Sequence, residues 1–150
     1  MKKFPVFLVV LLALSASLVL VACGSSDNSS DAPTKAEFIT QADAICAKGD
    51  AAIQKAALDQ FGANAPNKAQ IADFLSTTEI PNIEQQAADL RELTPPSGDE
   101  DTIDALLNSL DDGISTIKDD PAGSISGANP LADANKQAKA YGLKSCGASS

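Results

Sequence analysis

Residues 97–119, SGDEDTIDALLNSLDDGISTIKD, decide how the rest of the chain is read. Ile103, Leu106, Leu107, Leu110, Ile114 and Ile117 recur at three- and four-residue intervals, which places them on one narrow face of an α-helix. Ser97 and Glu100 supply an S-x-x-E capping signal at its start, and Pro121 ends it. A helix with one apolar stripe must bury that stripe against other elements, so its partners are sought on either side.

Toward the N-terminus, Thr94 to Gly98 reads as a loop through Pro95 and Pro96. Before it, Asn67 to Gln70 offers a cap, and Ile71, Phe74, Leu75 and Thr78 share one helical face. Ile83, Ala87 and Leu90 share another, centred about 130° away at about 100° per residue. Pro81 lies between them, and the residue before a proline resists helical geometry. The expectation is two segments, 68–79 and 81–93, joined by a sharp kink at Ile80.

Earlier still, Thr34 and Glu37 form a T-x-x-E capping box. Phe38, Ala42, Ile45, Cys46, Gly49, Ile53 and Ala56 follow at helical spacing, and the helix runs to Phe61 with Gly62 as its stop. Gly49 costs about 1 kcal/mol relative to alanine inside a helix. Two readings account for it: close approach of the Cys146 segment, or a break with Asp50 capping a second piece.

Beyond Pro121, a Gly and Ser loop leads to Asn129, which caps a last helix with Pro130 at its first position. Leu131, Ala134, Ala138 and Tyr141 face inward, and Gly142 followed by Leu143 is a C-terminal stop with an apolar contact. No strand-like alternation of useful length occurs. The pattern predicts an all-α fold over residues 34–146: a small antiparallel bundle of four helical regions, the second kinked at Pro81, with 147–150 as a tail.

The first 22 residues read differently. Lys2 and Lys3 precede an apolar run from Phe4 to Ala22, broken only by Pro5, Ser15 and Ser17. That is a secretory signal pattern. The run closes in Leu20, Val21, Ala22, Cys23, which resembles the bacterial lipobox, where a peptidase cuts before a diacylglycerol-modified cysteine. The resemblance implies that residues 1–22 are removed and that Cys23 is lipidated; the competing reading is an uncleaved signal anchor, since the mostly apolar run from Phe4 to Ala22 could span a bilayer. Residues 24–33, rich in Ser, Asp, Asn and Gly, have no apolar period and read as a flexible tether.

Cysteine parity points the same way. Three cysteines in an exported chain leave one unpaired, and lipidation of Cys23 accounts for it. Cys46 and Cys146 are then free to pair with each other. In the chain-entropy model such a bridge, closing about 100 residues, contributes about 4.7 kcal/mol. For an alanine-rich core with few aromatics, that is comparable to the net stability of a small domain.

The chain of 150 residues carries a formal charge of −9. Beyond residue 22 it holds nine Lys and Arg against twenty Asp and Glu, a formal −11. Nucleic acid and anionic headgroups need clustered positive charge and are poor partners for it. The chain has no His, which removes imidazole acid-base chemistry and His-ligated metals.

The stretches F-I-T-Q-A-D-A-I-C at 38–46 and A-Y-G-L-K-S-C at 140–146 resemble a loose group of short exported helical proteins of Gram-positive actinobacteria. The resemblance implies a two-cysteine helical fold and no particular chemistry.

Three constellations merit a functional reading. Ser115 and Lys118 match S-x-x-K, the nucleophile motif of penicillin-binding enzymes, and Ser26, Asp27, Asn28 spells S-D-N. The order is reversed, K-T-G is missing, and Ile117 belongs to the core stripe, so the match reads as coincidence. Asp101, Asp104, Asp111, Asp112 and Asp119 line the polar side of the third helix and form a candidate cation-binding face. The competing reading is a solvated acidic face, partly neutralised by Lys136, Lys139 and Lys144. A groove opened by the Pro81 kink beside Arg91, Gln85 and Gln86 would suit an anionic ligand.

These readings make the chain an expected non-catalytic, membrane-anchored extracytoplasmic protein-interaction module, partnered by another envelope protein, without cofactor and without nucleic acid. The alternative is a small-ligand or cation-binding lipoprotein that uses the acidic face or the groove near Pro81.

Overall fold

The structure, a computed structural model, describes residues 32–148. The signal, the lipidation of Cys23 and most of the tether fall on residues outside that range.

Helix α1 spans Lys35–Phe61 without a break. Its capping box forms as the residues predict: Thr34 Oγ1 accepts the Glu37 N–H at 3.3 Å, and Glu37 Oε2 accepts the Thr34 N–H at 2.8 Å. The Thr34 hydroxyl also donates to Glu37 Oε2 at 2.7 Å, and this bond, followed by the backbone one, holds the Glu37 carboxyl below its ordinary value. Helix α2, Lys68–Phe74, starts with the reciprocal pair Asn67 and Gln70, each bond 3.0 Å.

The second region departs from expectation at Pro81. Ile80 is helical, with φ −61° and ψ −47°, so no sharp kink sits there. Instead Leu75–Glu79 forms a π-helical turn, in which the Ile80 N–H bonds to the Leu75 carbonyl five residues back, and helix α3 runs on over Ile80–Arg91. The wider turn makes room for a proline ring that would strike the carbonyl four residues earlier in an α-helix. Ser76 and Thr77 hydroxyls donate back to the Ala72 and Asp73 carbonyls one turn earlier, at 2.9 and 2.8 Å. One inserted residue also rotates the helix by about 100°, most of the offset between the two apolar faces.

Helix α4, Glu100–Asp119, buries Ile103, Leu106, Leu107, Ile114 and Ile117. Its start corrects the expected Ser97 box: Glu100 Oε2 accepts the Gly98 N–H at 2.6 Å, and Asp99 occupies the cap position without capping the helix through its side chain. The Asp99 carboxylate instead accepts the Tyr141 hydroxyl at 2.7 Å. Part of the expected loop after Pro121 is a helical turn, α5, Pro121–Ser124, whose Gly123 N–H bonds to Asp120 Oδ1 at 2.9 Å.

Helix α6, Ala132–Tyr141, follows Asn129, whose side chain accepts the Leu131 N–H at 2.9 Å. Gly142, with φ +112°, takes the left-handed conformation that ends a helix, and the Leu143 N–H returns to the Ala138 carbonyl at 2.9 Å.

Packing runs α1 on α3, α3 on α4, and α4 on α6. The main core joins Phe38, Ala42 and Cys46 of α1 to Leu90, Ile103, Leu106, Leu107, Ala138, Tyr141 and Leu143. Phe38 and Tyr141 meet edge to face, ring centres 6.0 Å apart. A second cluster gathers Ile80, Ile114 and Ile117, with Leu110 packed against both. Among the described residues there is no strand, and no helix is long and apolar enough to cross a membrane.

Gly49 is explained by neither expected reading: a Cβ there would lie 2.2 Å from the Gln86 side chain of α3, and α1 continues through it. Gly113 plays the matching part in α4, where a Cβ would meet the Pro130 carbonyl oxygen and Leu131 Cδ2, each at 2.7 Å.

Candidate functional site

Asp43 and Cys46 stand one turn apart on α1 and grip the chain end together. Asp43 Oδ1 accepts the N–H groups of Lys144 at 2.9 Å, Ser145 at 2.8 Å and Cys146 at 3.4 Å. Cys46 is bonded to Cys146 through sulfur, with Cα atoms 5.1 Å apart and a sequence separation of 100. Three N–H groups converging on one carboxylate are charge-assisted bonds, and with Leu143 buried beside them they press residues 143–146 onto α1.

Beneath this clasp lies a cavity of about 60 Å³ between α1, α3, α4 and α6. Ile53, Ile83, Leu90, Leu106, Leu110, Leu131, Ala134 and Ala138 supply apolar wall, while Ser145, Cys146 and Ala148 cover one side. A void of that size, left empty, forfeits on the order of 1–2 kcal/mol of packing. Among the described residues the polar lining consists of Asp50, Gln86, Asn135 and Ser145, of which Asp50 alone is charged.

Asp50 is half-buried on α1, and desolvation pushes its carboxyl above the ordinary value. Glu79, in the π-helical turn, is raised by burial and then by the charge of Asp50. Among the described residues neither carboxylate has a hydrogen-bond or ion-pair partner. The Gln86 amide is engaged, its Nε2 donating to Asn82 Oδ1 at 2.9 Å.

The residues singled out from sequence fall in several places. Cys46 and Cys146 are joined; Cys23 lies outside the described residues. Asp101, Asp104, Asp111 and Asp112 are all exposed along α4 and do not converge, and no group of three or more metal-ligating side chains occurs among the described residues. A cation that meets this face comes from α3, where the Arg91 guanidinium pairs with Asp111. Asp101 borders a surface depression with Asp99, Tyr141 and Lys35, whose ammonium sits 3.9 Å from the Tyr141 ring centre. Burial, followed by the bond to Asp99, pushes the Tyr141 hydroxyl pKa upward.

The groove expected beside Arg91, Gln85 and Gln86 does not assemble. Arg91 turns to Asp111, Gln85 Nε2 donates to Asp89 at 2.7 Å, and Gln86 packs over Gly49. The depression at Pro81 is lined by Ser76, Ile80, Glu84, Ile117 and Lys118. In it Lys118 bonds to Glu84 Oε1 at 2.8 Å, an interaction that raises the lysine pKa and keeps it protonated, unlike the neutral amine a base beside Ser115 requires.

Sequence reasoning missed Asp43, Asp50, Glu79 and Gly113. Only Asp43 carried a readable signal, its position one turn before a cysteine that needs a distant partner. Comparison of the chain with protein-family models, with curated proteins and with solved structures finds no match.

Proposed function

We propose that this chain is a lipid-anchored, extracytoplasmic, non-catalytic binding module. Residues 1–22 act as a cleaved signal, Cys23 carries the lipid, and residues 24–33 tether the folded part to the membrane. The observation that carries this reading is the Cys46–Cys146 bridge. It uses two of three cysteines and leaves Cys23, at the end of the lipobox-like run, as the one to be modified. A structural disulfide also suits an oxidising compartment outside the cytosol.

The folded part is proposed to be an antiparallel bundle of four helical regions, akin to the exported actinobacterial proteins that its terminal stretches resemble. Cross-helix contacts support the directions: Glu84 with Lys118 and Arg91 with Asp111 relate α3 to α4, and Ser109 with Gln137 and Asp99 with Tyr141 relate α4 to α6. In each case the residue number rises on one helix as it falls on the other. The surface charge favours an envelope protein with basic residues over nucleic acid.

Fatty-acid labelling of the full chain in a lipoprotein-processing host tests the anchor. Label in the wild type that disappears in Cys23→Ala supports it; label that persists in the variant, or a mature chain beginning elsewhere than residue 23, overturns it. A second reading, capture of a small ligand, is favoured by one observation: the interhelical cavity whose single charged lining residue among the described residues, Asp50, has no ion-pair or hydrogen-bond partner among them.

A further inference from the structure

We infer that the cavity beneath the Cys46–Cys146 clasp is a binding site for a primary ammonium carried on a short alkyl group, with Asp50 as its counter-charge. The inference rests on the small-ligand reading and names the chemistry that reading leaves open.

Size limits the apolar part. An apolar cavity of about 150 Å³ accepts benzene, so the 60 Å³ here takes a fragment of two or three carbon atoms. The walls contributed by Ile83, Leu106 and Ala134 offer such a fragment contact and no hydrogen bond.

Charge selects the head. Among the described residues Asp50 is the one charged group on the lining, and no cation has paired with it. Glu79 adds a second carboxylate close enough for its ionisation to respond to Asp50. An anionic ligand would be repelled by both, whereas an ammonium satisfies a carboxylate that otherwise stays partly desolvated. An ammonium also has three protons to donate; the Asn135 carboxamide, on the same lining and without a side-chain partner among the described residues, offers an acceptor for one of them. Elsewhere on the surface Asp111, Glu84 and Asp59 have already paired with Arg91, Lys118 and Lys55.

The test is an NMR titration of the full-length chain, bridge intact and held in non-ionic detergent, with n-propylammonium chloride, n-propanol and sodium propionate. Expected are saturable shifts of the Asn135 side-chain amide and the Leu106 methyls with propylammonium, at least tenfold weaker binding of propanol, and none of propionate. Asp50→Asn should reduce propylammonium to the propanol level, and Ala134→Leu, which fills the cavity, should abolish both responses. Thermal melting verifies that each variant is folded. Absence of saturable shifts, equal binding of propanol, or unchanged binding by Asp50→Asn overturns the inference. The lipid anchor stands or falls separately on fatty-acid labelling, so the two failures are distinguishable.

Discussion

The Asp43 carboxylate accepts the Ser145 N–H at 2.8 Å across 102 residues of sequence, one helical turn from the cysteine that bonds covalently to Cys146. A non-covalent and a covalent tie thus hold the same three-residue segment against the same face of α1.

The non-covalent tie should be measurable by itself. Asp43→Ala leaves the Lys144 and Ser145 N–H groups without their shared acceptor, and a loss of about 2 kcal/mol is expected. Asp43→Asn keeps one acceptor oxygen but not the charge and should lose about half as much. Urea unfolding of both variants with the disulfide intact decides the ratio.

Replacing Cys46 and Cys146 together by alanine opens a loop closed over a separation of 100 residues. The expected loss is about 4 kcal/mol, seen as a lower denaturation midpoint. If the double variant unfolds at the wild-type midpoint, the clasp is not what holds the chain end.

The two buried helix glycines should respond unequally to alanine. At Gly49 the added methyl displaces the far end of a flexible Gln86 side chain, and the gain in helix propensity of about 1 kcal/mol offsets much of that cost. At Gly113 it meets the backbone of Pro130, which cannot swing aside, so Gly113→Ala should lose about 1–3 kcal/mol. Thermal melts that rank the two the other way would contradict the packing described.

Glu79→Gln should stabilise the protein near neutral pH and make no difference in strong acid. In the folded state the Glu79 carboxyl lies above its ordinary 4.5, so the folded protein holds its proton more tightly than the unfolded chain. Stability from that proton is complete below 4.5 and is lost as pH rises through the folded-state value. Solvent screening limits the gain to a few tenths of a kcal/mol. Melting temperatures of wild type and variant should converge below pH 4.5 and separate above it.

How far the residues could be read depended on the range of the interaction. Thr34 with Glu37 and Asn67 with Gln70 are three apart, so their caps were legible, as was the apolar stripe of α4. Ser97 with Glu100 had the same spacing and failed because Asp99 and Gly98 found other partners, one of them Tyr141, 42 residues away. Pro81 announced an irregularity but not its kind: a kink and a π-helical turn both relieve the same clash, and the burial of Ile80 is met by the turn.

From the linear chain alone came the helical class, the positions of the main helices and, through the odd number of cysteines, the pairing of Cys46 with Cys146. Those follow from period, local capping and stoichiometry, which need no knowledge of what lies across the core. Tertiary packing alone decided that Gln86 lies over Gly49, that Asp43 receives the chain end, and that Asp50 borders a cavity with no paired cation among the described residues. Each of these joins residues tens of positions apart, where no periodicity links the partners and only the closed shape of the molecule brings them within reach.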